Sequence, residues 1–197
     1  MDDREFFDKI AGTWDENEVL STPIKINQVL DYFDLHENQD ILDLGTGTGV
    51  LLPFITQRIG EKGKILAVDF SEGMLSQAKR KYSNLTPIPS FMNLDFENDL
   101  IPGQFDRIIL YCVYPHLHSP VETLKWLEKV NLKEEGLISI AFPTGPDFIN
   151  NIHKERHSDS DILPSAEILT QNLVSNGLDA YVASDSEECY VVNIRKR

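Results

Sequence analysis

The chain has 197 residues, of which 41% are hydrophobic and 25% charged, the profile of one globular domain long enough to bury a full core. Its 32 acidic residues against 18 basic ones leave a formal net charge of −14. Nucleic acid and anionic membranes are therefore not expected as partners, because both demand positive charge against phosphate.

The opening "MDDREFFDKIAGTWDENE" has no apolar signal-peptide core. No uninterrupted apolar run approaches the roughly 20 residues that cross a bilayer. A cytoplasmic location is expected, as a monomer or homodimer. Cys112 and Cys189 are far apart, form no CxxC unit and read as buried thiols.

The first segment places Phe6, Phe7, Ile10 and Trp14 on roughly one helical face. A second helix starts at "STPIKINQVLDYF", with Thr22 as N-cap, Pro23 in the first turn and Ile26, Val29, Leu30 and Phe33 as its apolar stripe. "DILDLG" is a short buried strand, and Val50 to Ile59 a helix that stops at Gly60. "KILAVDF" is a second strand, followed by a helix capped by Ser71. "IPSFMNLDF" holds a third strand and "FDRIILYCVY" a fourth. In the next helix, Ser119 and Glu122 have capping-box spacing with Pro120 at the first position. "GLISIAFP" is a fifth strand, and an irregular stretch leads to a helix over "SAEILTQNLVSNGL". Two β-rich runs close the chain as a hairpin. Alternating strands and helices predict right-handed crossovers and a mostly parallel sheet covered on both faces.

Three alternate glycines, Gly45, Gly47 and Gly49, follow the first strand, where such a sheet binds ligands. No Lys-Ser or Lys-Thr pair follows them, as a phosphate loop requires, and Val50 stands where a dinucleotide fold wants a third small residue. Asp43 lies two residues before the glycines. Its carboxylate would oppose a pyrophosphate, but it suits S-adenosylmethionine, which carries an ammonium and a sulfonium. Asp69, ending the second strand, has the position of a ribose-binding carboxylate. Asp95, after the third strand, is placed to accept from an adenine amino group, with Phe70, Met74 and Phe96 available to sandwich the ring.

With these pieces in order, the sequence resembles the class I S-adenosylmethionine-dependent methyltransferases. The motifs "ILDLGTGTG", "ILAVDFSEGMLSQAKRK", "LDF", "FDRIILYCVYPHL" and "GLISIAFP" carry that likeness over about 41–143. The opening "FFDKIAGTWD" is similar to the lead-in of small-molecule members related to the quinone and sterol methyltransferases. The resemblance implies an α/β, Rossmann-like, doubly wound sheet of seven strands, with an antiparallel strand from the C-terminal hairpin and an N-terminal helical lid. It implies a single domain: lid and first helix over 1–36, cofactor-binding core over 37–143, and acceptor-side loop, last helix and hairpin over 144–197. Asp43, Gly45, Thr46, Gly47 and Gly49 would hold the methionine part, Asp69 the ribose and Asp95 the adenine, with Tyr111 beneath the cofactor.

The fourth strand runs into "YCVYPHLHSP" and lacks the Asn-Pro-Pro-Tyr type signature tied to amide or adenine methylation. A small-molecule acceptor is the expectation. His116 and His118 follow the fourth strand, and His153 and His157 the fifth; both loops open at one end of the sheet, so the four histidines would converge there. His116 and His153 are the candidates for a general base. The acceptor pocket would be lined by Trp14, Tyr114, His118 and His157. The histidines carry two other readings: residues with no shared task, or ligands of a metal from His116, His118, His153 and His157, although no thiol or carboxylate completes that set. Two other functions stay open: a cofactor-binding sensor or assembly domain without turnover, and a nicotinamide-dependent reductase, which Asp43 disfavours.

Overall fold

The computed structural model describes residues 3–17, 22–155 and 162–197. Helix α1 spans Asp3–Ile10, followed by a 3-10 turn at Trp14–Asn17, and α2 spans Pro23–Leu30. The core follows as β1 (Asp40–Leu44), α3 (Leu52–Ile59), β2 (Lys64–Asp69), α4 (Glu72–Tyr82), β3 (Ser90–Asn93) and β4 (Phe105–Tyr111). A 3-10 turn at Tyr114–His116 leads to α5 (Pro120–Trp126), β5 (Leu132–Phe142) and α6 (Pro146–Glu155). The chain ends with α7 (Ala166–Ser175), β6 (Asp179–Asp185) and β7 (Tyr190–Arg195).

The seven strands form one sheet in the order β3-β2-β1-β4-β5-β7-β6. The first five are parallel, while β7 inserts antiparallel between β5 and β6. Side chains alternate between two faces because the strand period is two. Ile41, Ile65, Ile109 and Val191 pack on one face with Ile26, Val29, Phe33 and Ile55 of the α2 and α3 region. Leu42, Leu44, Ile108, Ile140 and Val192 pack on the other with Leu124 of α5 and Leu169 and Leu173 of α7. Burial on both faces explains why β1 and β4 read as nearly unbroken apolar runs.

Charged groups lock the amino end of the sheet. Lys133 Nζ donates to Asp40 (2.6 Å) and Asp106 (2.9 Å), joining the starts of β1, β4 and β5. Arg107, 6% exposed, donates to the carbonyls of Phe33, Asp34 and Asp106 and pairs with the Asp34 carboxylate. The reversal of strand order at β1 and β4 then falls over the opposite, carboxyl end, where such sheets bind ligands.

Several local signals hold. Thr22 Oγ1 accepts from Lys25 N–H, and Ser71 Oγ from Met74 N–H. The segment after β5, read as irregular, is instead helical over Pro146–Glu155. The capping box at Ser119 and Glu122 is not formed: Ser119 makes no side-chain cap, and its own N–H is taken by Glu97 from another loop. Cys112 and Cys189 are both thiols, but only Cys189 is buried; Cys112 is half-buried. No helix among the described residues is long and apolar enough to cross a membrane.

Candidate cofactor and acceptor site

The turn after β1 is shaped by sterics as much as by sequence. Gly45, Gly47 and Gly49 all have positive φ, at 66°, 56° and 83°, a region that L side chains avoid. A Cβ on Gly45 would lie 2.4 Å from Val113 Cγ2, and one on Gly49 would lie 2.9 Å from both Leu52 and Tyr82. At Gly47 a Cβ would meet nothing within 4 Å. The outer two glycines therefore let the turn sit against the protein, and the middle one faces open space.

Two carboxylates are buried at this turn. Asp43 is 2% exposed and accepts from Thr46 Oγ1 at 2.6 Å. Burial drives its pKa up to about 7; the Thr46 hydroxyl opposes the rise and the Asp69 charge adds to it. Asp69 is 4% exposed, and its oxygens accept from Gly47 N–H (2.7 Å) and Ser71 N–H (2.9 Å). Burial raises its pKa as well, against the pull of those two donors. Two desolvated acids side by side form a place where a cation would be stabilised.

The remaining predicted cofactor residues divide. The Asp95 carboxylate accepts from Glu97 N–H (3.1 Å) and Asn98 Nδ2 (2.8 Å), closing a tight turn after β3. Phe70 is half-buried, and Phe96 packs against the core. Met74 and Tyr111 are core residues, 2% and 7% exposed.

The lid is seated on this end of the sheet. Asp8 accepts from Ser71 Oγ (2.6 Å) and Gly73 N–H (2.9 Å). Asp15 accepts from Thr48 Oγ1 (2.7 Å) in the glycine turn and pairs with Lys81. Phe7 meets Trp14, Phe70 and His116 edge-on at centroid distances of 5.7, 5.9 and 5.8 Å. Phe7, Asp8 and Asp15 thus join the candidate site, and the sequence reading gave them no place in it. Trp14 apart, their partners lie tens of residues away; only the apolar helical face of α1 hinted at Phe7.

Of the four histidines, the structure unites two. His116 and His153 have ring centroids 5.3 Å apart, with Phe7 against His116. His118 is turned elsewhere: its Nδ1 lies 3.1 Å from Glu97 Oε2 and its side chain is 86% exposed. His157 lies outside the described residues. Tyr114 is buried in the core beside this region. Among the described residues, no three His, Cys, Asp or Glu side chains gather as a metal site would require. One hollow of about 270 Å³ lies between α2 and the β6–β7 turn, and another of about 510 Å³ at the amino end of β5. The lid meets the glycine turn through the Thr48–Asp15 hydrogen bond.

The stretch from β1 into β5 fits one family model. Residues 41–136 match a methyltransferase domain. Its relatives include a demethylmenaquinone methyltransferase of Staphylococcus saprophyticus, 29% identical over 153 residues that cover 72% of this chain and 64% of the relative. YqeM of Bacillus subtilis is 37% identical over 110 residues, 53% of this chain and 42% of its own length. The chain thus spans about half to two thirds of these curated relatives.

In fold, the methyltransferase domain and its flanks match an S-adenosylmethionine-dependent methyltransferase of Aquifex aeolicus over the whole of both chains, with a TM-score of 0.73 at 22% identity. The complex of DhpI with S-adenosylhomocysteine matches with a TM-score of 0.76 at 16% identity, covering 98% and 94% of the two chains. The Rossmann-like fold and the antiparallel strand supplied by the C-terminal hairpin are those of this structural class.

Proposed function

We propose that this chain binds S-adenosylmethionine at the glycine turn and transfers its methyl group, in the cytoplasm, to a small-molecule acceptor lying against His116 and His153. One observation carries the cofactor assignment: a carboxylate 2% exposed, with a pKa near 7, buried directly at a positive-φ glycine turn. A pyrophosphate there would be repelled, whereas an ammonium or sulfonium repays the burial of the acid. The residues fit the group. Asp43 and Gly45–Gly49 would hold the methionine end, Asp69 the ribose hydroxyls and Asp95 the adenine edge, beside Phe70.

When bound, S-adenosylmethionine supplies an electrophilic methyl group. The chain's own contribution is alignment, exclusion of water and care of the acceptor's proton. Asp8 and Asp15 hold the lid shut over the glycine turn, and Phe7 closes the gap between Phe70 and His116. The His116–His153 pair stands where an acceptor proton would be taken up. A chain charge of −14 and the lack of an amide- or adenine-type motif after β4 favour a small acceptor over nucleic acid.

Calorimetric titration with S-adenosylhomocysteine tests the cofactor assignment. Micromolar binding is expected, with no heat from NADH; the reverse pattern overturns the reading. With an acceptor in hand, His116→Ala is expected to lower kcat by about 10²- to 10⁴-fold, the usual worth of a general base, while S-adenosylhomocysteine affinity stays unchanged. Unaltered kcat rules out the base role.

A further inference from the structure

Helix α5 begins without the cap its own sequence offers, and the residue that replaces it reaches across from the adenine side. The Glu97 side chain is only 11% exposed. Its Oε1 accepts from Ser119 N–H (2.9 Å) and Thr123 Oγ1 (3.2 Å). Its Oε2 accepts from His118 N–H (3.0 Å) and lies 3.1 Å from His118 Nδ1. Burial alone would raise its pKa, but these partners outweigh it and hold the carboxyl below its ordinary value. Glu97 is therefore an anion held at three points by the loop that follows β4 and at a fourth by Thr123 in the first turn of α5. A charged group that satisfies this many donors is worth more than one neutral hydrogen bond per contact.

The backbone of the same residue faces the other way. Glu97 N–H donates to Asp95 Oδ1 at 3.1 Å, within a turn closed by Asn98 N–H and Asp99 N–H donating to the Asp95 carbonyl. One residue thus joins the Asp95 turn to the segment that carries His116, two residues before His118. His116 N–H in turn donates to the Val113 carbonyl (3.0 Å), so this segment has little slack.

We propose that Glu97 is a positioning residue that couples the cofactor end of the site to the acceptor end, so that occupancy at Asp95 stiffens the loop bearing His116. The inference rests on the assignment of Asp95 to the adenine made above. A ligand that engages the Asp95 carboxylate orders the turn from which Glu97 projects, and the Glu97 carboxylate carries that order to His118, Ser119 and α5. Cofactor binding then completes the acceptor side before the acceptor arrives.

Hydrogen exchange by mass spectrometry, with and without S-adenosylhomocysteine, tests this on the full chain. In the parent protein the ligand is expected to slow exchange in 45–49, in 95–99 and in 114–123. In Glu97→Ala, 114–123 should exchange on the order of 10-fold faster before ligand is added, as expected for lost hydrogen bonds. The deciding result is the response to ligand: protection persists at 45–49 and 95–99 but no longer extends to 114–123. A capping role alone would change the starting rate and leave the response intact, and that outcome overturns the proposal. Glu97→Gln, which keeps an acceptor oxygen, should recover part of the response and carries the test if the alanine variant does not fold. Parent protein that responds at 45–49 but not at 114–123 also overturns the coupling. Absence of any response at 45–49 refutes the cofactor assignment instead.

Discussion

An Asp43→Asn variant is expected to be more stable than the parent protein above pH 7 and to lose its affinity for S-adenosylhomocysteine. The reason lies in the direction of the Asp43 shift. Its pKa rises from an ordinary 3.8 to about 7 because the carboxyl is buried at the end of β1, with the Thr46 hydroxyl opposing the rise and the Asp69 charge adding to it. A raised pKa means that the folded chain holds the proton more tightly than the unfolded chain does. The neutral acid is therefore well tolerated at low pH, and the folded state loses ground as pH climbs from 3.8 through about 7. At about 1.4 kcal/mol for each pH unit, the full cost above pH 7 reaches about 4 kcal/mol as an upper bound. Asparagine keeps an oxygen for the Thr46 hydroxyl and never ionises. A rise of roughly 5 °C in melting temperature at pH 8 is expected for a domain of this size, smaller at pH 5 and close to zero only below about pH 4.

The same substitution removes the charge that the ligand's ammonium needs. Unpairing a buried ion costs about 3–5 kcal/mol, so affinity should fall by about 100-fold or more. The parent protein should show the matching proton linkage. Below pH 7, binding must ionise Asp43, so calorimetry in two buffers of different ionisation enthalpy should register proton release, and affinity should weaken as pH falls. A variant that is no more stable at pH 8, in a protein whose binding is indifferent to pH between 5.5 and 8, would mean that Asp43 is already ionised and paired without ligand.

How much of this was legible beforehand follows from the range of the contacts involved. The placement of Asp43 and Asp69 near the carboxyl ends of β1 and β2 could be read because strand period and glycine spacing are local. The lid was legible only as an amphipathic face. Its seat depends on Asp8 meeting Ser71 and Gly73, and on Asp15 meeting Thr48 and Lys81, pairings that no local pattern encodes. The capping box at Ser119 and Glu122 had the right spacing, yet Glu97, 22 residues before Ser119, took the donor first. His118, read as lining the acceptor pocket beside His116, is directed elsewhere because the 3-10 turn ends at His116 and the chain then turns towards Glu97. Helix α6 was hidden by "PTGPD", whose proline and glycine signal a turn, although here the second proline opens the helix that carries His153.

Asp69→Ala is expected to abolish S-adenosylhomocysteine binding and, unlike Asp43→Asn, to destabilise the chain. Both acids are buried and both have raised pKa values, so relief of desolvation favours either substitution. The difference lies in what each carboxylate satisfies. Asp43 accepts a hydroxyl that asparagine can still serve. Asp69 accepts the Gly47 and Ser71 N–H groups at 2.7 and 2.9 Å, and alanine leaves both without an acceptor, at about 1–3 kcal/mol each. The damage also spreads to the lid, because Ser71 Oγ and Gly73 N–H, which seat Asp8, sit on the same corner between β2 and α4. Melting temperature should therefore fall by roughly 5 °C or more, and affinity by at least about 100-fold. Asp69→Asn separates the two roles. Its one remaining acceptor oxygen serves one of the two N–H groups, so stability should recover in part. Affinity should stay low, because a neutral amide cannot accept from two ribose hydroxyls as a carboxylate does. If affinity recovers along with stability in the asparagine variant, Asp69 serves the glycine turn alone and the ribose is held elsewhere.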